Sequence, residues 1–147
     1  MQRTHRQYEI TDDQTRLDFA RVHGWLAETY WSPGITRPKV EKAARHSALV
    51  VSAYSDGAAG NQQVGYCRVV SDLTRFAWIA DVFVDPEHRK QGLGQAIVTF
   101  ALEHPDLADV HYWLLRTKDA HGVYTKLGFG APDAPQRFMQ LRKPQKH

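Results

Sequence analysis

A chain of 147 residues, 42% hydrophobic and 24% charged, has the size and make-up of one globular domain spanning 1–147 and can bury a continuous core without the staples a mini-protein needs. No apolar run approaches the roughly 18 residues of a membrane span, and Met1 to Arg6 lacks a secretion signal, so a cytoplasmic location away from membranes is expected. The net charge of +3 comes largely from the ends (Arg3, His5, Arg6, then Arg142, Lys143, Lys146, His147), which reads as solvated tails rather than a basic stripe for nucleic acid.

In chain order, Gln7 to Ile10 is a short candidate strand. Thr11-Asp12-Asp13 offers helix caps, and Phe19, Val22, Leu26 and Tyr30 recur at helical spacing, predicting a first helix over about Gln14–Trp31 that Ser32-Pro33-Gly34 breaks. Lys39–His46 is a second, short helix. Leu49–Tyr54 and Gln63–Ser71 read as a hairpin around a loop from Ser55-Asp56-Gly57 to Gly60-Asn61. Cys67 lies in this return strand; as the single cysteine it permits no internal disulfide, fits a reducing compartment and reads as a packing residue. Phe76–Val84 is apolar almost throughout, as a central strand covered on both faces should be, with one carboxylate, Asp81, interrupting it. Gly92–His104 is a strongly amphipathic helix stopped by Pro105. Val110–Thr117 is a strand. Asp119 can cap a last helix that carries Ala120, Val123, Tyr124 and Leu127 on one stripe and ends at Gly128, and Phe129 with Arg137–Leu141 supplies the last strand. This order predicts an α/β fold with a mixed sheet and helices on both faces.

The segment between the apolar strand and the amphipathic helix, Asp85-Pro86-Glu87-His88-Arg89-Lys90-Gln91-Gly92-Leu93-Gly94, holds most of the chemistry. The opening amides of a helix have no internal partners and carry partial positive charge, so they attract phosphate. Glycine at 92 and 94 allows close approach of an anion, and Arg89 and Lys90 add charge beside it. The string is neither a P-loop, which needs G-x-x-x-x-G-K-[ST], nor a dinucleotide fingerprint, which needs G-x-G-x-x-G.

Two strings carry a resemblance. Arg89-x-x-Gly92-x-Gly94 resembles the acetyl-CoA pyrophosphate loop, (Q/R)-x-x-G-x-(G/A), of the GNAT N-acetyltransferase superfamily. Ala120-His-Gly-Val-Tyr124-Thr-Lys126-Leu-Gly128-Phe129 resembles that superfamily's A-x-x-L-Y-x-K-x-G-F segment, and a helix and a strand separate the two, as in the family. The resemblance is strongest over about Leu49–Phe129 and implies a mostly antiparallel sheet of about six or seven strands. It implies acetyl-CoA as co-substrate, with no metal. Val82, Phe83 and Val84 would present backbone groups to the pantetheine arm; Lys90, Gln91, Gly92, Leu93, Gly94 and Gln95 would wrap the pyrophosphate, with Arg89 beside them. Thr117 stands where the family often has Asn, seven residues before Tyr124, and would make that cofactor contact through a hydroxyl. Dimers are common in the family.

The implied reaction is attack of an amine on the thioester. A phenol with pKa about 10 stays protonated at neutral pH, so Tyr124 is the candidate acid for the leaving thiolate. An alkyl amine is only about one part in a thousand neutral at pH 7, a handicap of roughly 4–5 kcal/mol, so a base would help. Asp81 is the first candidate, because an apolar strand disfavours its charged form; its structural alternative is an ion pair with a nearby His or Arg. His121 is a second candidate near the acceptor. Tyr30 and Trp31, before the Ser32-Pro33-Gly34 turn, are candidates for a lid over a small amine. Arg68 and Trp78 lie on strands with their facing open. The alternatives are a protein or peptide N-acetyltransferase and a non-catalytic acyl-CoA sensor.

Overall fold

The structure is a computed structural model that describes residues 1–56 and 61–146; the expected hairpin loop at 57–60 lies outside the described residues. It divides into two compact units, Met1–Arg116 and Thr117–His147.

The first unit is built on a six-stranded sheet, in the order β1 (Gln2–His5), β2 (Tyr8–Thr11), β3 (Leu49–Ser55), β4 (Gln62–Ser71), β5 (Phe76–Val84) and β6 (Tyr112–Leu114). All neighbours are antiparallel except β5 and β6, which are parallel. The mixed, mostly antiparallel sheet predicted from the sequence is therefore present. Helix α3 (Leu93–Leu102) covers one face: an added Cβ at Gly65 of β4 would lie 2.6 Å from Ile97 Cδ1. Helices α1 (Phe19–Leu26) and α2 (Arg37–Arg45) cover the other, where Val22, Leu26, Val40 and Ala44 pack with Val50 and Tyr66.

Four sequence expectations change here. The first helix is much shorter than Gln14–Trp31. Asp18 accepts from the Arg21 amide and starts α1 at Phe19. The Thr29 and Ser32 hydroxyls both contact the Leu26 carbonyl, which also accepts from the Thr29 amide in a tight last turn, and together they end the helix. The basic N-terminal segment is no loose tail. Gln2–His5 forms an edge strand paired with β2 through a turn in which Arg6 has φ +53°, and charged side chains on an edge guard it against pairing with other chains. The strand expected at Val110–Thr117 shrinks to Tyr112–Leu114, because its ladder with β5 ends at Trp78↔Leu114. No strand forms at Phe129 or Arg137–Leu141. Pro135–Arg137 is a 3-10 turn, Phe138, Met139 and Leu141 are exposed, and no strand among the described residues pairs with them.

In the second unit, α4 (His121–Thr125) is a single short helix. Asp119 does not cap it: the Thr117 hydroxyl accepts from the Ala120 amide at 3.0 Å instead. Gly128 ends the segment at φ +97°, the left-handed position expected of it.

Candidate functional site

Strand β5 carries a bulge at its centre. Tyr66↔Phe83 and Arg68↔Ala80 are the pairs on either side, so Cys67 alone on β4 faces both Asp81 and Val82 on β5. Asp81 has φ +56°, the left-handed value that such a bulge requires and that glycine commonly fills. Here the position keeps a side chain, and the side chain is used. Asp81 Oδ2 accepts from Arg68 Nε at 2.7 Å, and Oδ1 accepts from the Trp31 indole at 2.8 Å. Arg68 also reaches the Ser47 hydroxyl at 3.5 Å. The carboxylate singled out as a candidate base is thus an ion-pair partner with both oxygens engaged. The facing of Arg68, open in the sequence, is toward α1 and α2.

The bulge also frees an edge. β6 leaves β5 at Trp78, three residues before Asp81 of the bulge, and among the described residues no strand pairs with β5 beyond it on that side. The Asp85 amide donates to the Val64 carbonyl on β4. By the alternation of a pleated strand, Val84 turns its own amide and carbonyl away from β4, toward the open edge. Arg89 donates from Nε to that Val84 carbonyl at 2.9 Å and lies over the Phe83 ring, with 5.2 Å from its Cζ to the centroid. Phe83 stacks on Trp25 of α1 at 5.1 Å.

Past the strand, Asp85 starts a 3-10 turn, Pro86–His88, by accepting from the Glu87 amide. Arg21 of α1 holds Asp85 at 2.6 Å and the Gln63 carbonyl at 2.5 Å, which ties this corner to the helix. Lys90 (φ +64°) and Gly92 (φ +75°) are both left-handed, and Gly92 is the N-cap of α3 with no side-chain cap. The opening amides of Leu93, Gly94 and Gln95 therefore have no capping side chain. A Cβ at Gly94 would meet only Val84 Cγ2, at 3.8 Å, so the fold itself does not demand glycine there.

The sequence reading did not anticipate what fixes this loop. The Tyr8 hydroxyl bonds His88 Nδ1 at 2.9 Å; His5 Nε2 donates to the Gln91 carbonyl at 2.8 Å; and Gln7 donates to the Gln91 side chain at 3.2 Å. The β1–β2 hairpin is thus the brace of the loop before α3. The signal available in the sequence was the polar run His5-Arg6-Gln7 between two short strands.

Two buried groups adjoin the bulge. Tyr66 is fully buried, and its hydroxyl is the one buried side-chain polar atom without a hydrogen-bond partner among the described residues. Burial first, and then the negative charge of Asp81, push this phenol well above its ordinary range; Arg68 opposes them. Cys67 is likewise fully buried, and its thiol is pushed up to about 12 by burial and then by Asp81, so it is an inert packing residue.

The structure brings Trp31, Asp81, Val82, Phe83 and Val84 together, with Arg89, Lys90, Gln91, Gly92, Leu93, Gly94 and Gln95 following on one continuous turn. Tyr30 lies edge-on to Trp31 at 5.1 Å. Thr117, His121 and Tyr124 belong to the second unit. There, Tyr124 lies edge-on to Phe129 at 6.0 Å, held by the Phe129 amide donating to the Tyr124 carbonyl at 3.1 Å. His121 opens α4 and accepts through its carbonyl from the Thr125 hydroxyl.

Comparison with known proteins agrees with this architecture. A family described as the acetyltransferase (GNAT) domain matches residues 46–130, more than half of the chain. A crystal structure from Xanthomonas campestris of a protein assigned to the GNAT family is 37% identical, covers 96% of this chain and 95% of its own, and superposes with a TM-score of 0.86. The uncharacterized N-acetyltransferase ycf52 of Porphyra purpurea is 30% identical over 98 residues, 65% of this chain and 56% of its own length. Histone acetyltransferase TAP1 of Glycine max is 39% identical over 101 residues, 63% of this chain and 44% of its own. The matched region thus spans about half the length of these curated relatives. With a bulged β5, an open strand edge and an uncapped glycine turn into α3, and with a family match that runs through all three, this chain belongs to the GNAT acetyltransferase family.

Proposed function

We propose that the chain transfers an acetyl group from acetyl-CoA to the primary amine of a small molecule, by direct attack with both substrates bound. The observation that carries the reading is the uncapped start of α3 directly after the open edge of β5. A linear molecule with amides at one end and a diphosphate further along matches those two features in order. The pantetheine amides pair with the backbone of Val82–Val84, as an added strand would. The diphosphate takes the amides from Gln91 to Gln95, where a helix start and left-handed turns gather N–H groups around an anion. Lys90 adds charge. Arg89 gives up the Val84 carbonyl and turns to the phosphates, and Thr117 contributes a hydroxyl to the cofactor.

In the reaction, the amine nitrogen forms a bond to the thioester carbonyl carbon and the carbon–sulfur bond breaks. The thiolate takes a proton from the Tyr124 hydroxyl, and the nitrogen loses one. Asp81 remains the assigned acceptor of that proton, directly or through water, once the Trp31 indole has left Oδ1. Tyr30, Trp31 and His121 line the acceptor. The ion pair with Arg68 holds Asp81 in place and keeps the pair neutral overall, which suits a nucleophile that must itself be neutral. The reading places the protein in the cytoplasm; no described helix is long and apolar enough to cross a membrane.

The name of the Glycine max relative supports a second reading, in which the acceptor is a lysine of a protein. One experiment addresses both: release of the CoA thiol from acetyl-CoA, measured over polyamines, amino acids, aminoglycosides and a lysine peptide. The proposed reading expects small amines to be turned over well ahead of the peptide. Calorimetry with CoA and the Arg89→Glu/Lys90→Glu protein checks the cofactor assignment; an affinity equal to that of the wild type would remove it.

A further inference from the structure

Two features around the bulge are unexplained by the fold alone. Trp31 is 41% exposed, yet its indole N–H is spent on Asp81 Oδ1 at 2.8 Å, fifty positions away in sequence. Water could serve that N–H equally well, so the contact is not needed to satisfy the indole. The Tyr66 hydroxyl is the opposite case, being fully buried with no partner. Such a group loses its hydration without compensation, and phenylalanine would serve the apolar cluster of Val22, Leu26, Val40, Ala44 and Val50 better. Tyr66 and Arg68 are two apart on β4 and so share a face, and the charges of Asp81 and Arg68 both act on the phenol. Trp31 stands on the segment that joins α1 to α2, the two helices that cover Tyr66.

We infer that the Trp31 indole N–H holds, on Asp81 Oδ1, the place of the acceptor's amino group, and that the Tyr66 hydroxyl pairs with a second polar atom of the acceptor. The acceptor is thus a small amine with an oxygen close to its nitrogen. The inference rests on the acetyl-transfer reading and specifies its substrate. On binding, the amine displaces the indole and donates N–H to Oδ1 in its stead. The movement of Trp31 loosens the segment between the helices and opens the cover of Tyr66, whose protonated hydroxyl then meets the oxygen. Trp31 and Tyr66 set specificity; neither takes part in bond making.

The test uses ethanolamine and n-propylamine, which have the same size and differ by hydroxyl against methyl. Their affinities are measured by ligand-observed NMR on the full chain and on its Trp31→Phe and Tyr66→Phe variants, with melting temperatures recorded. Wild type is expected to prefer ethanolamine, and Tyr66→Phe to bind the two alike. Trp31→Phe should bind both about fivefold tighter, as expected when one competing hydrogen bond is removed. Tyr66→Phe should also melt above wild type, because it deletes an unpaired buried hydroxyl. The proposal is overturned if Tyr66→Phe keeps the preference for ethanolamine or melts lower, if Trp31→Phe binds no tighter, or if neither amine binds any of the three proteins. Thiol release from acetyl-CoA in the same samples reports on the transfer reading separately. Its absence beside the expected affinities would end that reading and leave the pocket assignment standing.

Discussion

On the face of the sheet under α3, the contacts are apolar and closed. Leu93, Ile97, Val98, Phe100 and Ala101 are buried, and Gly65 lets Ile97 come down onto β4. On the face under α1 and α2 the same two central strands carry Tyr66, Arg68 and Asp81, with an orphan hydroxyl, an ion pair and a left-handed residue within a few positions of one another. The first face obeys every rule for a stable core. The second departs from several of them at once, and such departures gather where a protein has a task besides folding. The contrast separates residues whose substitution should act on stability alone from those that should also alter ligand handling.

The largest expected effect lies on the closed face. Phe100→Ala removes a fully buried ring and should cost about 3–5 kcal/mol in urea unfolding, with little effect on amine affinity in the protein that remains folded. A loss below about 1 kcal/mol would mean that α3 is not the anchor described here.

Next comes pH. The Cys67 thiol ionises from 9.0 in a free chain but is pushed up to about 12 in the fold. Below pH 9 both states hold the proton and stability is unaffected. Above it the unfolded chain loses the proton first, so stability falls as pH rises through the folded value, by up to about 1.4 kcal/mol per pH unit. Tyr66, whose phenol is also pushed up by burial, adds to the fall at higher pH. Urea unfolding at pH 8, 9.5 and 11 should show a shallower decline for Cys67→Ala than for wild type; parallel curves would mean that the thiol is not sealed.

On the open face, Arg68→Met leaves Asp81 half-buried without its cation and should cost about 2 kcal/mol. Asp81→Asn tolerates the left-handed backbone and can still accept from Trp31. The double variant should therefore recover much of the loss, since neither charge is then stranded. Simple addition of the two single losses would mean that the pair is not coupled.

These cases also show what could be read from the sequence. Phe76–Val84 is a strand with the bounds its apolar run predicts, because a segment covered on both faces has few other places to go. Gly128, left-handed at the end of the α4 segment, was legible for a similar reason: only the chain itself is needed to argue it, whereas Gly92 was expected as the first residue of its helix and is instead the left-handed cap before it. The bulge at Asp81 was not legible. Nothing in Ile79-Ala80-Asp81-Val82-Phe83 marks an extra residue, and its position depends on Arg68 and Trp31, distant in sequence. That hidden feature accompanies one further miss, the early end of β6; the free backbone of Val82–Val84 beyond it was expected from the family resemblance. The truncation of the first helix depended on hydroxyls of Thr29 and Ser32 returning to Leu26, a choice periodicity does not see.

The smallest effect belongs to the turn that links the two faces. Gly92→Ala forces a side chain onto φ +75°, which should cost about 1 kcal/mol, although the space itself is adequate: the nearest atom to the new Cβ is His5 Nε2 at 3.5 Å. The strain can be relieved only by rotating the Gln91–Gly92 peptide, and that peptide's carbonyl is held by His5 at 2.8 Å. Relief therefore either breaks the brace from β1 or tilts the amides that open α3. The two routes differ in calorimetry. If the brace yields, His5→Ala weakens CoA binding and Gly92→Ala adds nothing further on top of it. If the amides tilt, the two losses add. A Gly92→Ala protein with unchanged CoA affinity and a destabilisation of about 1 kcal/mol would place the diphosphate elsewhere, and would leave the left-handed turn as a feature of folding only.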